Sequence, residues 1–399
     1  MTETQTPGKL LIHEATLRNV LSFGPQTPPF ALNNLNVLIG PNGSGKSNFI
    51  EAMALLHATP GDIGAVFRRG GGGFSEWIWK GDSSSFPKFD FVIENQTGNR
   101  PLRHKLEFQF QNQAYRIFGE SVENEKQESG ATEVKFYYRN NNGDAAIMVY
   151  GGGPINVHLQ KTSVDSIQSI MSQRRGSEMF PEISHLAESY EKVRIYRDWV
   201  FGRNSILREP QKTDMRGDRL EKDFSNLALI LNRWRRIPTV KTAILNGLRD
   251  LYEGFSDFDV SIEMGTAQVF FTEGNFTIPA SRLSDGTLRY LCLLAILFDP
   301  DPPPLICIEE PELGLHPDVL PKLAEHLIAA SSRTQLIVTT HSDIIVDAMT
   351  ERPESVVICE KHDGQTQMKR LKADELVEWL KKYRLGQLWI KGGLGGTRW

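Results

Sequence analysis

Four short stretches carry residue types that do phosphate chemistry. Residues 40–47 read Gly-Pro-Asn-Gly-Ser-Gly-Lys-Ser, which matches G-x-x-x-x-G-K-[ST]. Average residue usage produces such a match by chance in about one chain in a hundred of this length. Glycines at those places let backbone N–H groups wrap phosphate oxygens, and the N-terminus of a following helix adds its positive dipole end. Within the stretch, Asn42, Gly43, Ser44 and Gly45 form the cradle. Lys46 is placed for the β- and γ-phosphates, Ser47 for Mg²⁺, and Asn48 continues the contact.

The second stretch is Leu305–Glu312, LICIEEPE. A buried strand running into Glu309 and Glu310 sends their side chains to opposite faces. Glu309 then serves the Mg²⁺ shell and Glu310 addresses an attacking water. Most phosphate-loop enzymes place Asp at the first position, so Glu309 adds a methylene that must be accommodated. The third stretch, Leu283–Thr287 (LSDGT), opens an apolar helix that Ser284 can cap. The fourth is His341, behind the apolar run QLIVTT. Spacing ties them together. Ser284 precedes the acids by 25 residues, and His341 follows Glu310 by 31, room for a strand, a helix and a strand. That unit sets His341 where it can touch a γ-phosphate.

The elements that must hold these residues are legible in outline. Apolar Leu35–Ile39 stops at Gly40, and a helical pattern starts at Lys46. From Phe86 to Tyr150 the pattern alternates and is broken by Gly- and Asn-rich turns, as in successive strands. Residues 160–253 turn helical. Strands return after Phe255, followed by a helix (Thr287–Phe298), a strand (Leu305–Ile308), a helix (Asp318–Ala330) and a strand (Gln335–Thr339). A hairpin around His362–Gly364 and a short helix near Ala373–Lys382 end the pattern. The fold class expected is α/β, a mixed-sheet core with an antiparallel β lobe. Residues 1–158 and 256–399 form two parts of one head, and 159–255 a helical insertion.

Composition narrows the class further. The chain has 399 residues, 40% hydrophobic and 24% charged, which is ordinary for a globular protein of two or three units. Its longest apolar run, Tyr290–Phe298, is far below the ~20 residues of a membrane span. The polar start MTETQTPGK shows no secretory pattern, and the three cysteines fit no metal or disulfide framework. A reducing cytoplasm is the compartment expected. The net charge is −4, but residues 159–255 hold 17 Lys/Arg against 13 Asp/Glu. Arg174-Arg175 and Arg233, Arg235, Arg236 around Trp234 suit contact with nucleic-acid phosphates. The alternative is a solvated helix face around one buried tryptophan. Arg68-Arg69 before Gly70–Gly73 form a second basic loop.

Taken together, the four stretches resemble an ABC-type ATPase of the group that includes RecF, SMC and OLD proteins and the stand-alone predicted AAA-type ATPases of phage-defence islands. The opening LRNVLSFG (17–24), which in that group lies beside the nucleotide base, resembles it too. So do GPNGSGKSN, IEEPELGLHP, TTHS and the tail LGQLWIKGG. LSDGT stands where transporter subunits carry LSGGQ; Asp285 and Thr287 depart from that form. The resemblance implies an ATP·Mg²⁺-dependent homodimer of heads arranged head-to-tail. Each ATP would lie between one phosphate loop and the other subunit's Ser284 and Gly286. Glu310 would orient or deprotonate water, and His341 would hold the γ-phosphate. A Mg²⁺-sensing glutamine is also implied; Gln96, Gln109, Gln111 and Gln113 are available. OLD proteins add a TOPRIM nuclease after the histidine. Only 58 residues follow His341 here, so nuclease or toxin activity is expected from a separate effector protein. Three functions follow: a sensor or regulator in DNA-associated processes or anti-phage defence, including DNA repair; an ATP-locked scaffold holding an effector; and, least favoured, a transporter subunit. No membrane contact is expected.

Overall fold

A computed structural model describes residues 10–69, 72–81, 86–98, 100–150, 157–251 and 254–396. Its centre is a six-stranded sheet in the order Arg194–Tyr196, Leu305–Glu309, Gln335–Thr339, Leu35–Ile39, Val356–His362, Gln365–Arg370. The first five strands are parallel and the last returns antiparallel through a hairpin. Parallel strands covered on both faces need continuous apolar runs, and LNVLI, LICI and LIV supply them.

Strand parity decides which way each residue looks. Val37, Ile306, Ile308, Leu336, Val338 and Ile358 join one core with the helices Leu227–Trp234, Pro238–Leu251 and Asp285–Leu297. Leu38, Leu305, Cys307, Ile337, Val357 and Cys359 join the other, with the helix Lys46–Ala58 and an eight-stranded antiparallel sheet. That sheet runs from Phe30–Ala31 and Ile12–Arg18 through successive hairpins to Val157–Thr162. A small antiparallel sheet of Gln211–Lys212, Phe255–Glu263, Thr266–Glu273 and Phe276–Pro279 covers the first core.

The segment 159–255 differs from a separate helical insertion. Its first strand belongs to the eight-stranded sheet. Its helix Pro181–Lys192 packs on Lys46–Ala58, where the Tyr190 carbonyl meets His57 Nδ1 at 3.1 Å. Arg194–Tyr196 then pairs with Leu305–Glu309 in the central sheet. A three-residue strand is too short to show as periodicity.

Most arginines of the basic clusters named from the sequence bond their own chain, while Arg236 is exposed. Trp234 is buried in the core. Arg233 donates to the Gly217 and Asp218 carbonyls, and Arg235 pairs with Asp259. Arg174 bonds Thr162 and the Gln173 carbonyl, while Arg175 bonds the Pro60 carbonyl and Glu191. Arg68 pairs with Asp62. Among the described residues no helix is long and apolar enough to cross a membrane.

Candidate nucleotide site

The parallel strands end along one edge, and the predicted residues gather there. In open α/β sheets that edge is where ligands bind. Leu35–Ile39 releases the phosphate loop, Leu305–Glu309 the acids, and Gln335–Thr339 leads to His341. Three adjacent strands therefore place all three groups side by side.

The loop turns on glycines at positive φ: Gly40 at 145°, Gly43 at 78° and Gly45 at 101°. Two of these positions have no room for a side chain. A Cβ at Gly40 would stand 2.1 Å from the Cys359 carbonyl, and one at Gly45 2.1 Å from Thr366 Oγ1. The helix that follows has no acidic residue in its first turn and no side-chain cap, so its leading N–H groups are left for an anion. The Ser44 hydroxyl is buried without a partner. Lys46 donates to the Gly40 and Pro41 carbonyls at 2.8 and 3.0 Å, folded back on its own loop. Burial pulls its pKa down, while Glu310, Glu309 and Glu312 are close enough to oppose that shift. Ser47 is exposed at the first turn. Asn48 does not face the cradle: its amide donates to Ser22 Oγ at 2.8 Å. Thr366 Oγ1 lies 2.7 Å from that hydroxyl and 2.9 Å from the Ser44 carbonyl. The turn 17–24 is thereby pinned against the loop.

The tandem acids part company. Parity sends Glu309 to the face of the phosphate-loop helix, where Arg197 pairs with Glu51. Burial pushes the Glu309 carboxyl up despite the nearby Arg197, and its Oε1 has no partner. Glu310 leaves the strand with φ +46° and reaches the half-exposed edge. There its carboxylate lies 3.6 Å from His341 Nε2. Pro311 follows it and lets the chain turn away.

Some residues the sequence reading passed over complete the site. The Glu312 carboxylate accepts from Thr340 Oγ1 at 2.8 Å and from the His341 amide at 2.6 Å, which fixes the backbone of the histidine. Burial raises its pKa. Arg289, buried on the helix behind Ser284, donates to the Glu310 carbonyl at 3.1 Å. Burial brings it down to about 10. The signal for Glu312 was available as the third acid of IEEPE; Arg289 looked like an ordinary helix residue.

None of the four glutamines named from the sequence lies among the residues gathered at this edge. Gln96 lines a cleft with Pro304 and Arg333, at the opposite ends of the parallel strands. Gln109 accepts from Arg116 across a hairpin of the antiparallel sheet, and Gln111 and Gln113 sit exposed at its turn. The strand beside the acids, Arg194–Tyr196, is followed instead by Arg197 and Asp198.

Ser284 caps the helix Asp285–Leu297, its Oγ accepting from the Thr287 amide at 3.1 Å. Asp285 is held by Arg208 and by the Gly202 amide, and Gly286 packs close to the Gly314 carbonyl. Ser284, Gly286 and Thr287 open onto a groove whose other walls include Arg282, Gly314 and His316. No residue of the phosphate loop lines it.

A cradle of glycines and helix N–H groups, a lysine, two acids with different surroundings and a histidine on adjacent strands define a P-loop ATPase, and the fold is that of an ABC-type head. The chain belongs to the family described as "AAA domain, putative AbiEii toxin, Type IV TA system", whose model matches residues 35–347. None of the curated proteins compared with it matches. Its fold is similar to solved SMC heads. A crystal structure of an SmcHead bound to the C-winged helix domain of ScpA superposes with TM-score 0.57 at 14% identity, over 92% of this chain and 99% of that one. An Smc head with an extended coiled coil, bound to the C-terminal domain of ScpA and derived from Pyrococcus furiosus, gives 0.58 at 12%, over 94% and 99%. An Smc head with a coiled coil and joint from Pyrococcus yayanosii gives 0.52 at 11%, over 94% and 99%.

Proposed function

We propose that this ATPase closes as a head-to-tail homodimer on ATP and uses the closed state to control a separate effector protein in the cytoplasm. The observation that carries the dimer is the groove at Ser284. Ser284, Gly286 and Thr287 open onto this groove at a helix start, yet no phosphate-loop residue of their own head reaches it. A second head supplies the missing phosphates.

Gly43, Ser44, Gly45 and Lys46 bind the phosphates, with Asn42 at the loop's exposed rim. Ser47 and Glu309 fit Mg²⁺: one hydroxyl is exposed at the helix start and one buried carboxylate oxygen is unpartnered. Bound there, the ion would neutralise charge on the β- and γ-phosphates. Glu310, at the open edge, takes the proton of the attacking water or orients it. His341, its backbone fixed by Glu312, faces the same water and the γ-phosphate. Anti-phage defence or a DNA-associated process is the setting we favour, supported by the toxin system in the family's description. The winged-helix partner named with one solved SMC head is a precedent for control of a second protein. DNA is a further candidate ligand, although the arginine clusters of 159–255 do not support it.

Light scattering tests the dimer. Glu310→Gln with ATP should double the mass of the nucleotide-free chain, because closure persists when hydrolysis is slow. Adding Ser284→Arg should keep ATP bound and return the mass to that of one chain. A Ser284→Arg chain with full ATPase activity would show that the signature is not shared between heads.

A further inference from the structure

The consecutive carbonyls of the two acids are held by two side chains that stack on each other. Trp199 Nε1 donates to the Glu309 carbonyl at 2.7 Å. Arg289 Nη2 donates to the Glu310 carbonyl at 3.1 Å. The guanidinium lies 4.5 Å from the Trp199 ring centre and 5.5 Å from that of Phe201. These two rings are parallel to within 15°. From the other side, the Glu310 amide donates to Thr339, to its carbonyl at 3.0 Å and its hydroxyl at 3.2 Å.

This double hold explains a backbone that would otherwise relax. A non-glycine residue at φ +46° costs about 1–2 kcal/mol and persists only where its surroundings over-determine it. The holding group is also unusual. A buried arginine is costly unless its donors are used, and Arg289 leaves its Nε without a partner. A lysine would satisfy one carbonyl at lower cost. A planar cation that stacks and donates at once fixes an orientation as well as a distance.

We infer that Arg289, stacked on Trp199, is a positioning residue that aims the Glu310 carboxylate, so that the placement of the signature helix sets the placement of the general base. This rests on the reading of Glu310 as the base. Arg289 lies five residues beyond Ser284 on one continuous helix, about 7.5 Å along its axis. A rigid shift of that helix when Ser284 meets a second head's nucleotide therefore moves the Glu310 peptide. Turnover becomes conditional on docking without any direct contact between Ser284 and Glu310.

The test uses the full chain with Arg289→Met, Arg289→Lys, Trp199→Phe and Trp199→Leu, each alone and combined with Glu310→Gln. Steady-state ATP hydrolysis is read beside equilibrium binding of a fluorescent ATP analogue. Arg289→Met should lower kcat about 30-fold with KM and analogue affinity within about twofold, because only the hydrolytic geometry is lost. Arg289→Lys should recover part of it, and Trp199→Phe, which keeps the stack and loses the indole donor, should cost about threefold. In the Glu310→Gln background, Arg289→Met should change the residual rate by less than about twofold, since both act on one group. A full 30-fold loss there, or a raised KM at unchanged kcat, overturns the inference and leaves Glu310 as the base. Unchanged turnover in Glu310→Gln alone instead removes the base assignment and the inference with it. Should Arg289→Met fail to fold, Arg289→Lys and Trp199→Phe carry the same comparison.

Discussion

The nucleotide edge and the segment 159–255 are both rich in charge, and they use it in opposite ways. In the segment, Arg174, Arg175, Arg233 and Arg235 end on backbone carbonyls or carboxylates of their own chain. At the nucleotide edge, charged groups are left incomplete. Among the described residues, the arginine and carboxylate side chains with a buried, unpartnered atom are Arg289, Glu309 and Glu312, and all three belong to the site. An incomplete buried ionic group costs stability, which a fold tolerates where another molecule or a reaction uses it. Charge density alone marks neither region; buried ionic groups left incomplete separate them among the described residues.

Lys46→Ala breaks the comparison most severely if it fails. Lys46 now satisfies two loop carbonyls and must exchange them for phosphate oxygens. Losing a charge-assisted contact of about 3 kcal/mol should weaken ATP binding ~100-fold or more. Titration calorimetry with near-parental affinity would show that the loop is held for structure alone.

Glu310→Gln comes next and acts on rate, not affinity. Turnover should fall by about 10²–10⁴ with binding retained, the range for a lost general base. Single-turnover hydrolysis at the parental rate would move the base to Glu309, the other acid of the pair.

The segment gives a smaller effect of a different kind. Arg233→Gln with Arg235→Gln should cost about 1 kcal/mol, since both contacts are near the surface, and lower Tm by a few degrees. ATP turnover and any salt dependence of nucleic-acid binding should not change. A flattened salt slope at unchanged Tm would return these arginines to a phosphate-binding role.

The smallest effect lies at the far ends of the parallel strands. Burial raises Asp299 to about 6, against an ordinary value near 4, although it accepts from the Asp301 amide at 2.9 Å. Its folded form holds the proton more tightly than the unfolded chain does. Stability is therefore lost as pH rises from about 4 through 6, and the penalty is complete above that. Asp299→Asn should add about 1 kcal/mol at pH 8, after allowance for solvent screening, and nothing near pH 4. Thermal unfolding at the two pH values reads the difference. An equal gain at both would mean that ionisation is not the cause. Glu309 is also raised by burial, yet Glu309→Gln should lose activity, which sharpens the contrast between a carboxylate kept for use and one merely endured.

What the sequence made legible was local. Gly40–Ser47, Ser284, Glu309, Glu310 and His341 each sit at the end of a strand or the start of a helix, so a short pattern names both the residue and its place. The parallel core followed from LNVLI, LICI and LIV for the same reason. What stayed hidden depends on contacts across the chain. Arg194–Tyr196 is a strand only because Leu305–Glu309 lies beside it. Trp199, Arg289 and Thr366 acquire their tasks from partners 110, 21 and 344 residues away. Around Trp234 the reading of a solvated face with one buried tryptophan fits the structure: Trp234 is buried, Arg235 pairs with Asp259, and Arg233 and Arg236 are exposed.

The hairpin at Thr366 bears on how the molecule can be cut. The family match ends at residue 347, and the four stretches that carry phosphate chemistry lie before that point. Yet Val356–His362 is the strand that flanks Leu35–Ile39, and Thr366 fills the space against Gly45. A fragment ending at the family boundary would keep the whole chemical vocabulary of an ATPase and lose one wall of its cradle. Domain dissection guided by motifs alone would then yield a chain that reads as an enzyme and cannot hold its substrate.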